Sequence, residues 1–120
     1  MKANELRIGN LVLDQHKEEH IISANCFQRF RYPTMDNDYG FYPIPITEEW
    51  LLKCGFVIVN HINGYSFHTM DRKRNKDKHK PAIDIYENKT LYMGHHINHC
   101  QHVHQLQNLY FALTGEELEI

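Results

Sequence analysis

Two stretches of this chain gather side chains able to do chemistry. His95-His-Ile-Asn-His-Cys-Gln-His-Val-His104 places five histidines and a cysteine within ten residues, a ligand set suited to zinc or nickel. Read as a helix, the steps His95 to His99, His96 to Cys100 and Cys100 to His104 would set ligands side by side. No second ligand pair at defined spacing accompanies the run, and no HExxH glutamate stands ready as a general base. The expectation is therefore a polar strand end and linker leading into a helix, with no native metal and no other cofactor.

The second stretch, Arg72-Lys-Arg-Asn-Lys-Asp-Lys-His-Lys80, holds six formal cations and one acid, close to half of the thirteen lysines and arginines in the chain. Arginine offers bidentate contacts to phosphate and lysine offers point charges. Arg72, Lys73, Arg74, Lys76, Lys78 and Lys80 are thus the candidate contacts to RNA or to an acidic face of a partner protein. The competing reading is a solvated hairpin loop. Tyr65, Phe67, Tyr86 and Tyr92 flank this segment and can stack bases wherever they face outward, but strand alternation sends about half of them to the core.

Nucleophilic and acid–base chemistry find less support. Cys26, Cys54 and Cys100 are odd in number and widely spaced, which argues for free thiols in a reducing compartment rather than a disulfide framework. A pairing of Cys100 with a neighbouring histidine is the one candidate nucleophile. Glu48 with Glu49, and Glu116 with Glu117, are sequence neighbours that point apart on a helix, and the first pair suits the positive end of a helix dipole. No catalytic residue is assigned, and a non-enzymatic protein is expected.

The elements that must position these residues follow from pattern. With 120 residues and 42% hydrophobic content, the chain suits one domain, residues 1–120, with its own core. No apolar run reaches the roughly 20 residues needed to cross a bilayer, and Met1-Lys-Ala-Asn-Glu5 lacks the apolar stretch of a signal peptide, so a cytoplasmic protein is expected. The formal charge of −2 would move to about +8 if all ten histidines were protonated.

Leu6–Leu13 reads as a strand interrupted at Gly9, and His20–Ala24 as its return. Residues 26–42 read as an irregular loop that packs aromatic rings. Thr47 caps a short helix over 47–54 with Glu48 and Glu49 in its first turn, docked by Trp50, Leu51 and Cys54 and stopped by Gly55. Phe56–Ile62, the Asn63-Gly64 turn and Tyr65–Thr69 form a hairpin. Ala82–Tyr86 and Thr90–Met93 form a second, joined through Glu87-Asn-Lys89. Val103, Leu106, Leu109, Tyr110 and Leu113 recur at three- and four-residue spacing, which predicts an amphipathic helix over 103–114 ended by Gly115. The fold class is α+β: a small antiparallel sheet built from hairpins, with the two short helices packed on it.

Glu5-Leu-Arg-Ile-Gly-Asn-Leu-Val12, the stretch from Pro43 to Phe56 and the stretch from Val103 to Leu118 resemble small proteins encoded by bacterial phages and integrated mobile elements. These blocks cover about a third of the chain, and their residues are explained by capping, docking and helix termination, so they carry fold rather than activity. The resemblance implies an anti-CRISPR-like inhibitor that binds a host defence component, such as an RNA-guided, RNA-targeting nuclease of the type VI-B kind, or its guide RNA. The alternative is a free-standing nucleic-acid-binding accessory protein of the element. Both readings place contact at the basic 72–80 segment, and neither calls for a membrane.

Overall fold

The computed structural model describes residues 5–29, 41–70, 81–98 and 100–120. Strands β1 (Leu11–Leu13) and β2 (Glu19–Ile21) pair antiparallel, and a 3-10 turn follows at Ala24–Arg29. Helix α1 (Glu48–Lys53) then leads into β3 (Phe56–Ile62), β4 (Tyr65–Met70), β5 (Ile83–Tyr86), β6 (Lys89–Tyr92) and β7 (His95–Ile97), and helix α2 (Val103–Thr114) closes the order. The last five strands form one antiparallel meander in chain order, so the α+β expectation holds.

The meander is folded by its turns. Asn63-Gly64, Glu87-Asn88 and Met93-Gly94 all have positive φ, the backbone sign that lets a two-residue turn match the right-handed twist of its flanking strands. The first was legible as an Asn-Gly pair. The third was not: the histidine run predicted as a linker instead begins with β7, whose His96 pairs with Leu91 and His95 with Tyr92. Residues 26–42 also gain structure at both ends, through the 3-10 turn and through Tyr42. Tyr42 exchanges two backbone hydrogen bonds with Leu13, at 2.8 and 2.9 Å, beside β1.

Helix α1 begins where Thr47 Oγ1 accepts from Trp50 N at 3.4 Å. Its docking residues are Leu51 and Cys54, each 3% exposed. Trp50 is only half-buried, with Lys53 Nζ 4.4 Å above its ring, so the expectation that the helix docks by its tryptophan is corrected. An indole that lies against a lysine stem at the rim leaves the tighter core sites to smaller side chains.

Helix α2 lies between two layers. Leu106 and Tyr110 join Leu51, Phe56, Met70 and Ile83 in the main core. Beside β1, Gln107 and Asn108 bond the N-terminal segment: Gln107 Oε1 accepts from Leu11 N at 2.8 Å, and Asn108 Nδ2 donates to the Glu5 carbonyl at 2.9 Å. A smaller core of Leu6, Val12, Ile22, Cys26 and Phe41 sits behind β1 and β2. Gly115, at φ 73°, ends the helix by donating its N–H to the Phe111 carbonyl at 2.7 Å, the left-handed stop predicted from sequence. No helix among the described residues is long and apolar enough to cross a membrane.

Candidate functional site

The register of β3 to β6, shifted once in β3 between Ile58 and Asn60, divides the sheet's side chains between two faces. Phe56 faces Met70, His68 faces Ile85, and Ile83 faces Tyr92; because successive side chains alternate, these lie on the face that the helices cover. Val57, Thr69, Asp84 and Leu91 take the opposite face, as do Phe67 and Tyr86. Of the four flanking aromatics, Tyr65, Phe67 and Tyr86 thus gather on the outer face, and Tyr92 packs against the core. Tyr65 and Tyr86 meet edge to face at 5.9 Å, and Phe67 and Tyr86 meet tilted at 6.1 Å. The outer face is therefore a platform of three adjoining rings on β4 and β5.

Arg72, Lys73, Arg74, Lys76, Lys78 and Lys80 lie outside the described residues. They belong to the segment of chain that joins β4 to β5, the two strands that carry the rings.

The inner face holds a cleft of about 530 Å³ between α1, the loop after β7 and the ends of β4 to β6. Ile46, Leu51 and Ile85 supply apolar wall, and Glu48, Ser66 and His68 converge as polar groups. His68 is 5% exposed, and its Nε2 has no hydrogen-bond partner. The nearest acid, Glu48 Oε1, stands 4.0 Å away, too far for a hydrogen bond. A buried ring nitrogen left in this way costs about 1–3 kcal/mol. The sequence did not single out His68 or Glu48 for binding; an isolated polar residue at an inward-facing strand position was the available signal, and it needed the register to be read.

His99 lies outside the described residues, and the other histidines of the run do not gather at one point. His95 and His96 are exposed on β7, Cys100 is buried against the Thr90 hydroxyl, and His104 is buried on α2. Among the described residues no group of three or more His, Cys, Asp or Glu is gathered to hold a metal. His104 is 1% exposed, with neither ring nitrogen hydrogen-bonded. Burial, and then the neighbouring His102 whose ring stacks on it at 5.9 Å, push its pKa down to about 4, because the charged form is disfavoured in the interior. His102 instead starts the helix: Gln105 Oε1 accepts from the N–H groups of Gln101 and His102 at 2.9 and 3.1 Å.

The cysteine chemistry also differs from expectation. Burial pushes up the pKa of Cys100, the thiol placed beside histidines in sequence, and it pushes that of Cys54 up to about 11. Cys26 is the thiol with a histidine partner, its Sγ lying 3.3 Å from His20 Nε2. Burial raises its pKa, but hydrogen bonds from Ser23 and His20 outweigh that and bring it down to about 7. The pair joins β2 to the 3-10 turn, and His20 stacks on Phe41 at 5.3 Å. Six residues separate the two in sequence, and only the turn after β2 brings them together.

Taken together, the fold and these faces define an α+β sheet domain with an aromatic platform on one side and a polar cleft on the other. Comparison with protein families, with curated proteins and with solved structures gave no match.

Proposed function

We propose that this chain is a non-enzymatic binding protein that holds single-stranded RNA on the outer face of β4 and β5, with the basic 72–80 segment neutralising phosphates. The observation that carries this reading is the contiguous group of Tyr65, Phe67 and Tyr86 on the two strands which that segment connects. Stacking rings together with cations suit a single strand, because every base has a π face and every linkage a charge. In the setting that the resemblance implies, the RNA is the guide of an RNA-targeting, type VI-B CRISPR nuclease. The chain then acts as a phage or mobile-element inhibitor, by occupying that RNA or the nuclease around it. Blockade of this kind needs an interface and no catalytic group.

Titration of a labelled single-stranded RNA against the full chain at low and moderate salt tests the reading. Affinity should fall with salt, and Tyr65→Ala should weaken it by about five- to a hundredfold, the worth of one stacked base. No binding at about 50 mM salt would remove RNA as the ligand. Purification of the tagged chain from a host carrying defence systems separates the inhibitor from the accessory-protein alternative. A nuclease with its guide favours the first, and bare nucleic acid favours the second.

A further inference from the structure

We propose that the inner cleft is a guanidinium-binding pocket in which Glu48 and His68 are the recognition pair. Three observations meet there. His68 is all but fully buried, with a ring nitrogen turned to no partner. Glu48 Oε1 stands 4.0 Å from that nitrogen without bonding it, and because the nitrogen is closed to solvent a donor reaches both groups as the 57%-exposed Glu48 side chain swings aside. Glu48 and Glu87 border the cleft, Glu87 with Lys89 Nζ 3.9 Å from its carboxylate, and no lysine or arginine is among the described residues that line it, so the unpaired charge at the cleft is the Glu48 carboxylate, which favours a cation.

A guanidinium fits this chemistry better than other common groups. It is planar, always charged and donor-only, with N–H groups in a fixed fork that matches a carboxylate. Its weak hydration suits the apolar wall of Ile46, Leu51 and Ile85, where a compact, strongly hydrated ammonium would lose more solvation. In the bound state the Glu48 carboxylate accepts from the fork, and His68 Nε2, as the acceptor of a neutral imidazole, takes a further N–H. The pocket lies mainly on the sheet face opposite the aromatic platform, with Tyr65 at the edge common to both, and guanidinium binding in it does not require RNA on the platform. The guanidinium can come from a small metabolite or from an arginine side chain of a partner protein.

The test is a titration of the isotopically labelled full chain with agmatine, with n-butylamine, and with matched short peptides carrying one arginine or one lysine, followed by amide NMR shifts. Saturable shifts centred on Thr47, Glu48, Ser66 and His68 are expected for the guanidinium ligands, with butylamine and the lysine peptide at least about tenfold weaker. Glu48→Gln should reduce agmatine affinity by about tenfold or more; its side chain is 57% exposed, so the fold tolerates the change. Tighter binding of the arginine peptide than of agmatine names a partner protein as the source, and the reverse names a metabolite. Absence of saturable shifts at about 10 mM ligand, equal binding of butylamine, or an indifferent Glu48→Gln variant would each overturn the proposal. Because Phe67 does not line the cleft, Phe67→Ala reports on RNA and Glu48→Gln on guanidinium, and failure of one reading is distinguishable from failure of the other.

Discussion

Asn10 Nδ2 donates to Asn108 Oδ1 at 2.8 Å and ties the first turn of the chain to the last helix across 98 residues. Asn10 is fully buried, and its Oδ1 accepts from Arg7 N at 2.6 Å. Arg7 in turn reaches Asn108 Oδ1 at 3.3 Å and forms a two-pronged ion pair with Glu117. A connected polar seam thus bonds the N-terminal hairpin to α2, where an apolar seam would fix position less specifically.

Asn108→Ala should lower stability by about 1–3 kcal/mol, because it removes the acceptor of the buried Asn10 amide. Urea unfolding at neutral pH reads this as a lower midpoint with an unchanged slope. An unchanged midpoint would show that water or a shifted neighbour replaces Asn108.

Stability should fall as pH drops from about 6.5 toward 4. The unfolded chain protonates His104 near its ordinary value, whereas the folded chain holds it neutral down to about 4. The unfolded state therefore binds the extra proton in that window, and up to about 3 kcal/mol is lost across it. His104→Met, which fills the site without a titrating ring, should flatten this part of the curve in thermal melts run at several pH values. Parallel curves for the two proteins would show that other groups set the slope.

Cys26 should be alkylated faster than Cys54 and Cys100, with a rate that rises through a midpoint near pH 7. The reacting species is the thiolate, and of the three only Cys26 has partners that outweigh the effect of burial on it. Iodoacetamide labelling followed by peptide mass spectrometry orders the three sites. His20→Ala should move the Cys26 midpoint upward by removing one of those partners. If Cys54 labels first, local opening rather than thiolate character governs access.

Charge reversal at Arg72, Arg74 and Lys76 should weaken RNA or partner binding by at least about tenfold and reduce its salt dependence, since each lost cation removes counterion release. The thermal midpoint should be unaffected. Binding that survives all three reversals would move the interface away from this segment.

The sequence by itself determined the parts of the protein set by neighbours along the chain. The Thr47 cap, the Asn63-Gly64 turn and the Gly115 stop depend on the conformations those residues prefer, and the stripe through Leu106 and Tyr110 depends on the period of a helix. Each therefore lay in the string of residues.

Tertiary structure decided which face each strand turns inward, because a shift of one residue exchanges the two faces of a strand. That choice sent Tyr92 to the core, left Tyr65, Phe67 and Tyr86 on one surface, and buried His68 beside Glu48. It also set Leu51 above Trp50 as the docking residue of α1, and it paired Cys26 rather than Cys100 with a histidine. These relationships join residues whose proximity is a product of packing, and no local pattern encodes them.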